Sequence, residues 1–178
     1  MQHYLVRALA LALVATAASA QTSSGPHCRH SASRQLAFAG PSTKDRLTVS
    51  IGPGPCHSAK LSFVITSEQG RVLYRYVAPL KRHLVTGWDD PALVADAREF
   101  VQNAVAQAVV ARENFAEPRP QGKGEEGESE LTVPVAAFKR LMASRQPLIY
   151  HLTYYEGGQY VAFDPATRSA KVVAKWGV

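Results

Sequence analysis

Beyond its first twenty residues, the sequence lacks any long apolar run. A helix that crosses a membrane needs about 20 consecutive apolar residues, so this absence excludes a protein with several membrane spans. Wholesale disorder is also excluded, because 46% of the 178 residues are hydrophobic and a chain of this length can bury a core. The length predicts one domain of ordinary size.

The sequence also lacks the linear motifs of common enzyme classes. It contains no Gly-x-Ser-x-Gly nucleophile turn, no His-Glu-x-x-His helix and no glycine-rich phosphate loop. The favoured hypothesis is therefore a non-catalytic binding or inhibitor-type module without a cofactor. The alternative is a hydrolase in which His151, in the middle of a predicted strand, pairs with a nearby carboxylate such as Glu156 or Asp164.

The first twenty residues have the three parts of a secretory signal peptide. A positive flank at Arg7 precedes a short apolar stretch, and small residues follow at Ala18 and Ala20. Because the apolar stretch is too short for a membrane-spanning helix, we expect cleavage and a soluble periplasmic or secreted product with no membrane span. An uncleaved anchor is the alternative.

Only two cysteines are present, Cys28 and Cys56. In an oxidising compartment, such a pair is expected to form a disulfide, worth roughly 3–4 kcal/mol for a loop of about 28 residues. A metal site is the alternative, because His30 and His57 lie beside the cysteines and all four side chains are of types that bind zinc. The spacing is not that of a zinc finger, so the sequence predicts a disulfide and no metal.

Hydrophobic periodicity predicts an α+β fold with an antiparallel sheet of about five to seven strands. Alternating apolar residues indicate a strand at 47–51, and two β-rich runs at 61–66 and 71–77 indicate a hairpin. The C-terminal part indicates a meander of three strands, at 148–155, 159–163 and 168–176.

Two helices are expected to pack against this sheet. A long amphipathic helix is predicted from Pro91 to near Arg112, with Asp90 as its N-cap. A second, short helix is predicted to begin at Pro134. The segment between them, 114–129, is rich in Pro, Gly and Glu and is predicted to be a mobile loop.

The expected domain organisation has three parts. Residues 1–20 are the predicted signal peptide, residues 21–45 a predicted extended N-terminal segment rich in Ser, Gly and Pro, and residues 46–178 a single α+β domain. The oligomeric state is not indicated by the sequence.

A cluster of basic residues is the main candidate binding surface in a chain whose formal charge is +6. Its members are Arg71, Arg75, Lys81, Arg82, Lys171 and Lys175. Strict alternation places Arg71 and Arg75 on one strand face with Leu73 and Val77, and Lys171 on one face with Lys175. Such a basic sheet face favours an anionic envelope component or an acidic protein as partner, and nucleic acid is a poor candidate for an exported protein.

Two alternatives remain for this face: a solvated surface that serves solubility, or a surface covered by the long helix. A second candidate contact surface is a glycine turn flanked by tyrosines, formed by Tyr155, Gly157 and Gly158. An ordinary hairpin that carries aromatic residues because they favour strands is the alternative there.

Overall fold

The computed structural model describes residues 26–85, 87, 92–111, 115–123, 128–144 and 146–177. The predicted signal peptide and the predicted N-cap Asp90 lie outside these residues. None of the helices in the described part of the chain is both long and apolar enough to cross a membrane.

The first sheet, sheet A, consists of four antiparallel strands in sequence order. They are β1 at His27–Leu36, β2 at Asp45–Pro55, β3 at Lys60–Thr66 and β4 at Val72–Pro79. A short 3-10 helix at Leu80–Arg82 follows β4 directly. The predicted hairpin is therefore confirmed as β3 and β4, which pair antiparallel.

The second sheet, sheet B, contains the predicted meander. Its strands are β5 at Val109–Val110, β6 at Glu130–Leu131, β7 at Leu148–Tyr154, β8 at Gly157–Asp164 and β9 at Ser169–Trp176. They are ordered β5-β7-β8-β9-β6. The α+β class is confirmed, but the strands of the described residues form two antiparallel sheets rather than one of five to seven strands.

The edge strand β1 lies within the segment predicted to be an extended N-terminal region. Cys28 and Leu36 are buried on its inner side, and Ala32 packs against the same core. Ser, His and Arg fill most of its other positions, so the alternation of apolar residues is too weak to predict a strand.

The long helix α1 covers Ala92–Ala106 and ends earlier than predicted. Its inward stripe is Leu93, Ala97, Val101 and Val105. The β-branched pair after it, Val109–Val110, forms β5 and pairs with β7, so the chain leaves the helix before Arg112.

Sheet B lies between two hydrophobic cores. One core joins the inner face of sheet A and helix α1 to Ile149, Val161 and Phe163 of sheet B. The other core lies on the opposite face of sheet B, where the second helix, α2 at Val135–Ala143, contributes Phe138 and Leu141. The junction of the two sheets is therefore the place where residues far apart in sequence meet.

Candidate functional site

A β-bulge at Leu73 separates the two arginines that were predicted to share a face. Strand β4 has one residue more than β3 opposite Ile65 and Thr66, and the extra residue is Leu73. A bulge reverses the alternation of side chains, so Arg71 and Arg75 leave opposite faces of sheet A. The prediction of a common arginine face is wrong for this reason.

The surroundings of these residues agree with the reversal. Arg71 donates from Nη2 to the carbonyl oxygen of Arg168 in the loop between β8 and β9, at 3.1 Å. Arg75 is exposed on the outer face of sheet A. Leu73 is only 7% exposed whereas Val77 is 48% exposed, so these two residues do not share a face either.

A second bulge, at Val173 in β9, separates the two lysines of the last strand. Lys171 points to the α2 side of sheet B, where its Nζ lies 2.9 Å from the buried carboxylate of Asp164. Lys175 pairs with Gln159 and lies on the opposite face, toward sheet A. The six cations therefore do not form one basic sheet face.

Three of them nevertheless meet in one pocket of about 550 Å³. Lys81 and Arg82 come from the 3-10 helix after β4, and Lys175 comes from β9, so positive charge reaches the pocket from the end of sheet A and from sheet B. The other residues that line the pocket are Tyr76, Thr153, Tyr154, Tyr155 and Gln159. We call this site the cationic pocket. Its described lining contains no carboxylate.

Two carboxylates lie near the cationic pocket. Glu130 is opposite Lys175 in the pairing of β6 with β9. Glu156 adjoins Tyr155, and its charge, together with a hydrogen bond, raises the pKa of the tyrosine hydroxyl. The side chains of Glu130 and Lys175 are therefore cross-strand neighbours on one face of sheet B.

The wall of the pocket is fixed by a hydrogen bond between the sheets. Tyr76 in β4 donates its hydroxyl to the carbonyl oxygen of Thr153 in β7, at 2.8 Å. Burial raises the pKa of the Tyr76 hydroxyl, so it stays protonated and remains a donor. This bond holds β4 and β7 at a constant separation across the pocket.

Gly157 and Gly158 are buried and do not form a protruding turn. A Cβ atom at Gly157 would overlap the ring of Tyr154, and one at Gly158 would lie 2.5 Å from the ring of Tyr150. Trp176 then donates from Nε1 to the hydroxyl of Tyr150, at 2.9 Å. The glycines thus provide space for tyrosine rings, while the exposed tip of the hairpin is Tyr155 and Glu156.

A buried polar network lies behind Gln159, the member of the network that lines the cationic pocket. The Nε2 of Gln159 donates to the hydroxyl of Tyr74 and lies 3.0 Å from Nε2 of His151. The Tyr74 hydroxyl is 2.6 Å from the same imidazole nitrogen. Nδ1 of His151 lies 2.8 Å from the carbonyl oxygen of Leu152, which can only accept. These contacts assign the proton of His151 to Nδ1 and leave Nε2 as the acceptor.

The network favours neutral side chains. Burial lowers the pKa of His151 to about 4, although the Leu152 carbonyl opposes this shift. Burial also raises the pKa of the Tyr74 hydroxyl well above its usual range. At neutral pH, Gln159 is therefore hydrogen-bonded to two uncharged side chains, those of Tyr74 and His151.

His83 is a second buried histidine beside this network. It is 4% exposed, and neither ring nitrogen has a hydrogen-bond partner within the described residues. Its ring packs between those of Tyr76 and Phe100, with centroid distances of 6.1 and 5.8 Å. Burial, with smaller effects of His151 and Arg82, lowers the pKa of His83 to about 4.

The three residues of the hydrolase alternative are not brought together. Glu156 precedes β8 and Asp164 ends it, so roughly 25 Å of extended chain separates the two carboxylates. Asp164 is bound to Lys171, whose hydrogen bond lowers the pKa of the carboxyl. The hydrogen-bond partners of His151 are a phenol, an amide and a carbonyl rather than an acid.

The predicted disulfide between Cys28 and Cys56 is formed. Both residues are fully buried, and the bond joins β1 to the turn that follows β2. His30 lies against α1, where burial and the charge of Arg98 lower the pKa of its imidazole. Within the described ranges, no group of three or more His, Cys, Asp and Glu side chains has an arrangement that could hold a metal ion.

Sequence reasoning missed Tyr76, Thr153 and Gln159 as pocket residues. Tyr76 was visible as an aromatic residue of the predicted hairpin, but its partner Thr153 is 77 residues away in sequence, and the sequence does not show that contact. No family model, curated protein or solved structure matches this chain. The site must therefore be interpreted from its own geometry.

Proposed function

We propose that this chain is an exported, non-catalytic binding module that takes a small anionic ligand in the cationic pocket. The observation that carries the proposal is the meeting of Lys81, Arg82 and Lys175 on one pocket whose described lining has no carboxylate. Arg71 lines a different pocket, which also contains Asp45 and Glu68 and is therefore less suited to an anion.

The chemistry of the lining suits a carboxylate, sulfate or phosphate group. The guanidinium of Arg82 can donate two parallel hydrogen bonds to such a group, and the two ammonium groups add positive charge. Tyr154 and Tyr155 offer ring faces and hydroxyls for the uncharged part of the ligand. The volume of about 550 Å³ falls in the usual range for small-molecule sites.

The absence of catalysis in this proposal rests on the state of His151. Both of its ring nitrogens are engaged in hydrogen bonds with Tyr74, Gln159 and the Leu152 carbonyl, and its pKa is lowered to about 4. A general base needs a free nitrogen within reach of the substrate and a pKa near the working pH. Here the histidine instead positions Gln159.

Two observations support export as the setting. The N-terminal pattern is that of a signal peptide, and the Cys28–Cys56 disulfide is typical of proteins in oxidising compartments. The ligand would then be an anionic component of the cell envelope or of the surrounding medium.

Calorimetric titration with inorganic phosphate, sulfate and glucuronate tests the proposal. Lys81→Gln/Lys175→Gln should weaken the binding of the preferred anion by at least about tenfold, since two charge-assisted contacts are lost. Affinity for the wild type should also fall as salt is added.

The matched control is Arg98→Gln/Lys139→Gln, which removes the same charge from exposed positions on α1 and α2. It should change the affinity by less than about twofold. If none of the three anions binds the wild type, or if both double variants lose affinity equally, the cationic pocket is not the binding site.

A further inference from the structure

A second candidate surface, separate from the cationic pocket, is the outer face of sheet A. Helix α1 and sheet B pack against the inner face, where the apolar residues of β2 and β3 are buried at every second position. The alternate positions of these strands are directed to solvent. We call this surface the outer sheet face.

Hydroxyl side chains occupy the middle of the outer sheet face. Pairing of β1 with β2 and of β2 with β3 places them in neighbouring cross-strand rows. They are Ser31, Ser33, Thr48, Ser50, Ser62 and Thr66. Because these side chains are short, the centre of the face carries no protruding group. The apolar members of the face include the β-branched Val64, Val72 and Val77.

Exposed cations lie around this hydroxyl surface, three of them on β2, β3 and β4 and a further one, Arg29, on β1. Arg46 lies on β2, Lys60 on β3 and Arg75 on β4. Arg46 pairs with Thr66, six residues from Lys60 along β3, so these two cations are roughly 20 Å apart along the strands. No Asp or Glu side chain belongs to this face within the described residues.

We propose that the outer sheet face binds an acidic polysaccharide, a chain of sugars that carries carboxylate, sulfate or phosphate groups. The three cations can each pair with an acidic group, and their spacing requires a ligand several sugar units long. Ser50 and Ser62 share a hydrogen bond between their hydroxyls at 2.8 Å. The serine and threonine hydroxyls between the cations can both donate and accept hydrogen bonds, as the hydroxyls of sugars do.

Other classes of partner fit this surface less well. Protein interfaces usually contain large aromatic or apolar anchors at their centre, and this face has short hydroxyl residues there. An anionic bilayer would be attracted by the three cations but would make no particular use of the hydroxyl rows. The combination of cations and hydroxyl groups therefore favours an acidic polysaccharide over a protein or a bilayer as the ligand.

The first test measures binding of the mature protein to immobilised dextran sulfate and polygalacturonate, with uncharged dextran as the baseline. Arg46→Glu/Arg75→Glu should weaken binding by at least about tenfold, because two charge-assisted contacts become repulsive. The control Arg98→Glu/Lys139→Glu changes the net charge equally and should stay within about twofold. Equal loss in both variants would mean unspecific attraction and would overturn the proposal.

The second test separates the polysaccharide from a lipid surface. Ser33→Ala/Thr48→Val removes two hydroxyls that face each other across β1 and β2 and leaves the charge unchanged. It should weaken binding to the acidic polysaccharide by about threefold or more, and it should leave binding to phosphatidylglycerol vesicles as it is in the wild type. Unchanged polysaccharide binding, or wild-type binding to vesicles alone, would overturn the proposal.

Melting temperatures confirm that each variant is folded before its affinity is compared. The outcome is independent of the proposed function, because Lys81 and Lys175 are not altered in these variants. A protein that keeps its affinity for small anions but does not bind acidic polysaccharide would refute only the role of the outer sheet face.

Discussion

Acidification should destabilise this protein through two buried histidines, His151 and His83. They are 3% and 4% exposed, and burial lowers the pKa of both to about 4, from the ordinary value of 6.5. In the unfolded chain both side chains are hydrated and regain ordinary pKa values. Protons therefore bind the unfolded chain first as the pH falls.

The difference between the folded and the unfolded pKa values sets how the free energy of unfolding changes with pH. Well above pH 6.5 both imidazoles are neutral in the folded and the unfolded state, so they add no pH dependence. Between 6.5 and about 4 the free energy of unfolding falls with pH, because only the unfolded chain is protonated. The expected loss is about 2 kcal/mol per histidine at pH 5 and about 3 kcal/mol when the folded state also titrates.

Urea unfolding followed by circular dichroism, between about pH 7 and about pH 5, measures this loss. His83→Phe should remove about half of it, since a phenyl ring fits between Tyr76 and Phe100 and no hydrogen bond is given up. At pH 7 this variant should be as stable as the wild type or about 1 kcal/mol more stable.

Unlike His83→Phe, the variant His151→Phe should be less stable than the wild type at pH 7. It leaves the Tyr74 hydroxyl without its imidazole acceptor, so it should cost about 1–3 kcal/mol. A wild type whose stability is the same at pH 7 and pH 5, or a His83→Phe variant with the full wild-type pH dependence, would refute the argument from burial.

Two further predictions concern stability. Replacing Cys28 and Cys56 by Ser should lower the free energy of unfolding by roughly 3–4 kcal/mol, and thiol titration of the unfolded, unreduced wild type should find no free thiol. Gly158→Ala should cost about 1–3 kcal/mol in urea unfolding, because the added methyl group would overlap the ring of Tyr150. Gly52→Ala, whose Cβ would meet nothing closer than 3.9 Å, is the control and should be much milder; equal costs would contradict this account of the glycine.

The elements with strong hydrophobic periodicity could be predicted from the sequence. The C-terminal meander was found because its strands carry clear β-rich runs and are separated by turn residues, such as Asp164–Pro165 after β8. The short helix was found because Pro134 precedes an amphipathic stretch, and α2 begins one residue later at Val135. In both cases the signal is local.

The division of the strands into two sheets could not be predicted, because it depends on contacts between distant segments. Strand β5 has two residues, and its pairing with Ile149 across forty positions gives no pattern in the sequence. The early end of α1 has the same cause, since Val109 and Val110 pair with β7 instead of continuing the helix. Tertiary contacts outweigh the helical periodicity there.

The faces of the charged residues were mispredicted for a more specific reason. A rule of strict alternation assumes that each strand has no extra residue, and single residues at Leu73 and Val173 break that assumption. Neither position is Gly or Pro, which would have signalled an irregular strand. The error therefore falls on side-chain direction, although the strands themselves were found.

The bulges place the charged side chains on different surfaces, so an informative variant must change charges of one surface only. Arg71 faces the loop after β8, whereas Arg75 belongs to the outer sheet face, so reversing both charges at once would alter two different surfaces. Loss of anion binding in such a variant could not be assigned to either surface. Variants that stay on one surface avoid this mixture: Lys81 with Lys175 for the cationic pocket, and Arg46 with Arg75 for the outer sheet face. If each pair affected only its own ligand class, the excess of positive charge in this chain would serve two separate binding surfaces rather than solubility alone.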